Sequence, residues 1–328
     1  MKAIASPELS VAVPPRLVVV AGHPRLALRK RLARHAAHFW LSALFWNARR
    51  NPHFTRAVKW LFVEAAWTFS PFLRENTLCN ARRILGKSAA ASDRESLARA
   101  VIGNFYDFVC DVGRCAGMTR RQLVARIDRV HGDEVYRAAR AEHKGAIVVT
   151  AHMGSFEIGI APLLDRERRV HVLFRRDASG LFERTRAALR KRLGVIEACV
   201  DDGLAVWLRL REALADDDVV LIQGDRVMPG QKGCRVPFLD GHVLLPAGPV
   251  KLALATGAPI IPIFSVRQGD GRTRLFVETP IHVSDEGKSA AATLKLAGVI
   301  ADYVRRFPDQ WLMVHRAWCE DSPGACES

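Results

Sequence analysis

Over the second half of the chain, short continuous apolar runs alternate with longer stretches in which apolar residues recur at helical spacing. The runs 146–151, 170–174, 219–223, 259–266 and 275–280 have the length and the flanking polar, Gly or Pro residues of strands. Between them 181–193, 204–215 and 248–255 read as helices, and a last helix over about 290–307 stops at Pro308. Alternation of this kind predicts an α/β fold, a largely parallel sheet flanked by helices on both faces. Gly269-Asp270-Gly271 marks a turn between the fourth and fifth strands. Upstream, about 26–140 reads as a mainly helical N-terminal region. The expected organisation is a flexible leader at 1–15, a basic, mainly helical, membrane-associating region at 16–140, the α/β core at 141–320 and a tail at 321–328.

With 328 residues and 49% hydrophobic content, the chain has ample apolar material for a buried core. Its formal net charge of +15 calls for an anionic partner: nucleic acid, anionic lipid or an acidic carrier protein. The distribution of charge discriminates among these. From Arg16 to Lys59 there are ten Lys and Arg and no Asp or Glu, interleaved with Phe39, Trp40, Leu41, Leu44, Phe45, Trp46, Phe54 and Trp60. Basic residues mixed with Trp and Phe suit an anionic membrane surface, where each nearby cation contributes about 1 kcal/mol. A solvated basic helix packed by its aromatic face onto the core is the competing reading. No nucleic-acid-binding motif accompanies the aromatics, so no nucleic acid is expected. The apolar stretch 36–48 is too short to span a bilayer, and 57–73 contains Lys59, Glu64 and Pro71. The apolar run 17–21 is too brief for a secretory signal. A peripheral or monotopic protein on the cytoplasmic face of a membrane is therefore expected.

The sharpest chemical signal is Val148-Val149-Thr150-Ala151-His152-Met153-Gly154-Ser155-Phe156-Glu157. A buried strand empties into a turn that carries a histidine and, five positions on, a carboxylate. On one continuous helix, five steps of about 100° would leave the two roughly 140° apart. His152 is therefore expected on the strand-to-helix turn and Glu157 inside the helix, reaching back to one ring nitrogen. The other nitrogen is then available to accept a proton, as a general base requires. Gly154 gives a substrate close access to the backbone, and Ser155 is the expected N-cap beside free N–H groups. Pro162 should kink or end a helix begun at Phe156. The carboxyl end of a buried parallel strand is also where open α/β sheets bind ligands. A histidine satisfied by local hydrogen bonds, with a bare surface Glu, is the bland alternative.

The pair resembles the His-x4-Asp/Glu motif of the glycerolipid-type acyltransferases, and specifically of the bacterial lipid A (lauroyl/myristoyl) acyltransferases. Further likeness lies, in order and spacing, in Val220 to Arg226, Gly233 to Phe238, Pro246 to Ala253 and Thr256 to Phe264. Phe174-Arg175 falls where the family carries a substrate-contacting arginine, and Pro308-Asp309-Gln310-Trp311-Leu312-Met313-Val314-His315-Arg316 resembles the family's closing segment. The resemblance covers roughly 95–318. It departs at Gly224-Asp225-Arg226, where many lipid A enzymes read Asp-Gln-Asp, and at Leu245, where a Thr is common. Those departures leave the acceptor open.

What the resemblance implies is a glycerolipid-acyltransferase-like fold and an O-acyltransferase with His152 and Glu157 as catalytic residues. Gly154, Arg175, Asp225 and Arg226 are the implied substrate-binding residues. The arginines would take a phosphate or headgroup, and Asp225 would orient Arg226 or an acceptor hydroxyl. A structural salt-bridge network is the alternative for Arg175, Asp225 and Arg226. The implied co-substrate is an acyl carrier protein thioester or acyl-CoA, with no cofactor and no metal. The implied acceptor is a lipid A-like glycolipid at the bacterial inner membrane; a lysophospholipid, ornithine-type or polyene-type lipid, or a non-catalytic lipid- or carrier-binding role, are the alternatives.

Three features remain ambiguous between function and packing. Val236-Pro237-Phe238 and Leu244-Leu245-Pro246 suit either an acyl groove or the core. Arg184, Arg186, Arg190, Lys191 and Arg192 suit either a docking face for an acidic carrier or a solvated helix. The seven cysteines are scattered without metal-ligand spacing and read as free thiols, with Cys234 the one conceivable nucleophile.

Overall fold

The computed structural model describes residues 24–175, 180–227 and 231–321. The expected leader and all but the first residue of the expected tail lie outside these. Among the described residues there are nine strands: β1 Ile127–His131, β2 Ala146–Thr150, β3 Val170–Phe174, β4 Ile196–Cys199, β5 Val219–Gln223, β6 Gly233–Pro237, β7 His242–Pro246, β8 Ile260–Arg267 and β9 Thr273–Val277. Seven form one sheet in the order β1-β9-β8-β2-β5-β3-β4, and β6 and β7 form a separate antiparallel hairpin. Within the large sheet the β8–β9 pair is antiparallel and every other pair is parallel. The expected largely parallel α/β sheet, flanked by helices and preceded by a helical N-terminal region, is the observed fold.

The apolar runs are continuous because successive residues of the central strands serve two different cores. Ile147, Val149, Val220, Ile222, Ile260 and Phe264 enter one hydrophobic cluster, while Ala146, Val148, Val219, Leu221, Ile261 and Ile263 enter another. The five expected strands are all present. β1, β4 and the hairpin strands β6 and β7 were not expected; β1 and β4 are edge strands whose polar residues (Asp128 and Arg129, Glu197) break the apolar signal. β1 also places part of the sheet inside the segment read as helical, so the sheet begins before residue 141. Pro162 acts as expected. The helix Phe156–Gly159 ends ahead of it, and a second helix, Ala161–Arg166, takes the proline in its first turn.

The chain separates into two compact units, one up to Trp40 and one from Leu41 onward. In the first, Phe39 and Trp40 are exposed and meet edge to face, with centroids 5.7 Å apart. The second contains the sheet and the long helix Ala91–Cys115, which buries Val101, Ile102, Tyr106, Phe108 and Val112. Val236, Phe238, Val243 and Leu245 belong to the hydrophobic core, so packing claims the apolar faces of the β6–β7 hairpin. Cys234 pairs with Leu245 across that hairpin. Cys110, Cys115, Cys199 and Cys234 are free thiols, but Cys319 is disulfide-bonded, contrary to the reading from sequence. Burial pushes the Cys110 and Cys115 thiols up to about 12, which deprives both of nucleophilic thiolate at neutral pH.

The closing segment is locked to both sides of the second unit. Asn80, on the helix Pro71–Leu85, donates to Met313 O at 2.9 Å and His315 O at 2.7 Å. Trp318 is fully buried, donates its indole N–H to Phe238 O at 3.0 Å, and packs edge-on against Phe238 and Trp311. Trp318→Ala is expected to lower unfolding free energy by about 3–5 kcal/mol, read by chemical denaturation. An unchanged midpoint would contradict the packing described.

Candidate active site

β2 and β5 are neighbours in the centre of the sheet and run parallel, with Thr150 opposite Gln223 at their carboxyl ends. Two residues beyond Thr150 comes His152, and two beyond Gln223 comes Asp225. Parallel register therefore delivers both side chains to the same place. His152 Nδ1 lies 2.8 Å from Asp225 Oδ1, and the His152 backbone N–H donates to Asp225 Oδ2 at 2.9 Å. Trp311 completes the set by donating its indole N–H to the same Oδ2 at 2.9 Å.

Asp225 is the group that orients His152, and Glu157 is not. The short helix turns the Glu157 side chain away, and its Oε1 accepts from Arg186 Nε at 2.6 Å. The helix Gly180–Leu193 holds a partly buried ion-pair cluster around this contact. Arg190, 1% exposed, pairs with Glu183 at 2.5 Å and Glu197 at 2.6 Å. Arg186 and Arg190 are thus committed internally, while Arg184, Lys191 and Arg192 face solvent. The Asp225 role read from sequence changes as well: its carboxylate serves His152 and Trp311, not Arg226.

Burial alone would raise the Asp225 carboxyl, but the charge of His152 and the hydrogen bonds from His152 and Trp311 outweigh it and hold it at about 2. An ionised Asp225 fixes the proton on His152 Nδ1 and leaves Nε2 as the acceptor nitrogen. Nε2 makes no hydrogen bond among the described residues. The His152 side chain is 23% exposed, so that nitrogen is buried enough to be aimed and open enough to be reached.

An antiparallel bridge made by two backbone hydrogen bonds shapes the turn. Met153 pairs with Trp311 in an isolated antiparallel bridge, Leu312 N donates to His152 O at 2.7 Å, and Gly154 N donates to Gln310 O at 2.9 Å. Gly154 has φ +52°, and a Cβ there would sit 2.6 Å from Ser265 O. The glycine is required for close packing on β8, with its open side filled by protein backbone. The substrate-access role inferred from sequence does not fit this geometry. The backbone N–H groups of His152, Met153 and Gly154 are all engaged, so none of these three is an unoccupied oxyanion donor. Ser155 is the N-cap by position, yet its hydroxyl does not cap the helix and donates instead to Asp111 Oδ2 at 2.6 Å.

Both apolar and cationic side chains neighbour His152. Phe156 meets the imidazole edge to face at 5.6 Å and stacks on Phe108 at 4.7 Å. Burial and the charges of Arg226 and His152 push the His315 imidazole below its ordinary value. Arg226 Nε is buried without a hydrogen-bond partner. Arg175 stands just past β3 at the same end of the sheet and pairs with Asp201 at 3.5 Å. Sequence reasoning missed Trp311, although it lies in the closing segment singled out above. It also missed the equal two-residue offset of His152 and Asp225 from their strand ends, which was legible.

Asp225→Asn is expected to lower kcat by about 100-fold or more, because the amide no longer enforces the Nδ1–H tautomer. Glu157→Gln should instead act mainly on stability, costing about 1–3 kcal/mol through the weakened Arg186 pair. Kinetics and denaturation of both variants distinguish the roles, and a larger kcat loss in Glu157→Gln would reverse the assignment. The depressed Asp225 pKa gives a sign for acid stability. Its contribution is complete above the unfolded carboxyl value of about 4 and is lost as pH falls through about 2. Asp225→Asn should therefore flatten the acid-unfolding profile in that window, as followed by circular dichroism.

Comparisons with known proteins give the family. The chain is 25% identical over 244 residues to a phosphatidylinositol mannoside acyltransferase of Mycolicibacterium smegmatis (strain ATCC 700084 / mc(2)155), a match spanning 74% of this chain and 78% of the relative. It is 28% identical over 287 residues to a phosphatidylinositol mannoside acyltransferase of Mycobacterium tuberculosis (strain CDC 1551 / Oshkosh), spanning 86% and 89%. The family model described as bacterial lipid A biosynthesis acyltransferase matches residues 27–320, which hold every element of the sheet and all the residues around His152. The chain belongs to the bacterial lipid A biosynthesis acyltransferase family and is an acyltransferase.

Proposed function

We propose that this enzyme moves a fatty acyl group from an acyl carrier protein thioester or acyl-CoA to a hydroxyl of an anionic glycolipid, at the cytoplasmic face of the bacterial inner membrane. The observation that carries the proposal is the buried Asp225 carboxylate on His152 Nδ1, with Nε2 left to act. Nε2 takes the proton of the acceptor hydroxyl as that oxygen bonds to the thioester carbonyl carbon. Collapse of the tetrahedral intermediate breaks the carbon–sulfur bond, and the departing thiolate takes the proton from the His152 imidazolium. Asp225 stabilises the imidazolium between the two transfers. The step needs no acyl-enzyme, cofactor or metal.

Arg226, with a buried Nε lacking a partner, suits the phosphate of an acceptor headgroup, and Arg175 extends the cationic rim. The two relatives are named for phosphatidylinositol mannoside, a phosphate-bearing glycolipid, which favours that chemistry over a neutral acceptor. A lipid A-like acceptor fits the same cationic site.

An exposed aromatic face supports work at a membrane surface. On the helices Pro52–Ala57, Lys59–Phe69 and Pro71–Leu85, Phe54, Trp60, Leu61, Phe69 and Phe72 are exposed, Phe69 at 82%. So much exposed apolar area on consecutive helices is unusual for a surface that faces only water. Phe72 meets the His315 ring edge to face at 5.5 Å, so the face reaches the rim of the site. Among the described residues no helix is long and apolar enough to cross a membrane, and exposed aromatic side chains of this kind suit lying on its surface.

Mass spectrometry of total lipids from cells carrying wild type, His152→Ala or no protein tests the reaction. One phosphate-bearing glycolipid class should gain a single acyl group with wild type alone. Identical lipid profiles with folded protein present would count against it. For the surface, Trp60→Ser with Phe69→Ser should reduce sedimentation with vesicles of anionic phospholipid, and undiminished sedimentation would remove the aromatic face from the account.

A further inference from the structure

We infer that Asp111 is a positioning residue for the His152 turn, acting through the hydroxyl of Ser155. This rests on the function proposed above only for the reaction used as one readout. Ser155 is completely buried and stands three residues beyond His152 at the first turn of the helix Phe156–Gly159. A serine there ordinarily turns its oxygen onto its own helix. Here the hydroxyl donates outward to Asp111 Oδ2 at 2.6 Å, and the helix end gives up its side-chain cap. A local stabilising bond has been exchanged for one that spans 44 positions of sequence.

Asp111 is built to hold that bond in one place. It is 2% exposed, on the long helix Ala91–Cys115. Oδ2 also accepts from Arg267 Nε at 3.0 Å, and Oδ1 accepts from Arg126 Nη2 at 3.2 Å, with Arg114 Nη1 at 3.6 Å. Arg267, the last residue of β8, packs its backbone on Gly154 together with Ser265, and its backbone N–H donates to the Gln310 side chain. Gln310 in turn accepts the Gly154 N–H through its carbonyl. The carboxylate thus closes a ring of polar contacts around the turn: Asp111, Ser155, Gly154, Gln310, Arg267 and back to Asp111. Asp225 sets the tautomer and direction of the imidazole. The Asp111 ring sets where the turn that carries it sits.

An error of about 1 Å in the placement of a base costs roughly 100-fold in rate, so loss of the Ser155 bond should be read in turnover. Ser155→Ala removes one hydroxyl and leaves the Asp111 arginine contacts in place. Two readouts apply to the full chain. The first is hydrogen exchange of amides 152–157 by mass spectrometry, expected to quicken about tenfold or more while β2 and β5 stay protected. The second is turnover with palmitoyl-CoA and phosphatidylinositol mannoside, expected to show kcat reduced roughly 10- to 100-fold with KM for both substrates within about twofold. Arg140→Gln, which breaks the pairs of Arg140 with Glu167 and Asp217, controls for lost stability. It should lower the melting temperature without changing exchange in the turn or kcat. In an Asp111→Asn background, Ser155→Ala should add less than about twofold in kcat.

Unchanged exchange at 152–157 in Ser155→Ala overturns the proposal, and so does faster exchange with full kcat. If wild type does not acylate phosphatidylinositol mannoside, that acceptor is excluded, and the exchange readout still decides whether Asp111 holds the turn.

Discussion

Parallel pairing of β2 with β5 is the constraint on which the site depends. His152 and Asp225 stand 73 positions apart in sequence. They meet because the two strands are adjacent, run the same way, and end opposite each other at Thr150 and Gln223. A one-residue slip would turn Asp225 toward the other face and would also exchange the two hydrophobic clusters that the strands serve. The force that holds the register is therefore burial of Val148, Val149, Leu221 and Ile222, not the polar pair itself. Chemistry at the sheet end is positioned by apolar packing several residues earlier.

Around that point, the remaining elements each supply one restriction. The closing segment contributes the Trp311 indole to Asp225 and the Leu312 and Gln310 backbone bonds that shape the turn. The helix Pro71–Leu85 fixes the closing segment through Asn80 and, by way of Phe72, brings an exposed aromatic surface to the edge of the site. The long helix Ala91–Cys115 meets the turn at Ser155 through Asp111. Both of these helices therefore shape the site.

The sequence made the five interior strands legible because strands buried on both faces are apolar throughout, and the break at Pro162 followed from the missing N–H. Edge strands β1 and β4 carried too much polarity to stand out. The site was half legible. His152 on a strand-to-helix turn was readable from the run 146–157. Its partner was not, because nearness in sequence favoured Glu157, whereas adjacency of β2 and β5 is decided by the sheet order. The basic helix after β3 showed the same limit. Composition could not separate Arg186 and Arg190, which pair with Glu157, Glu183 and Glu197, from Arg184, Lys191 and Arg192, which meet solvent. Gly154 was singled out correctly but for the wrong reason, since its neighbour is the backbone of β8.

The central claim is that Asp225, and not Glu157, holds the proton on His152 Nδ1. Nuclear magnetic resonance of protein labelled with ¹⁵N in its histidine rings tests it most directly. The account predicts a low-field Nδ1–H resonance from His152 in wild type and in Glu157→Gln, and its loss in Asp225→Asn. Loss in Glu157→Gln with retention in Asp225→Asn would contradict it.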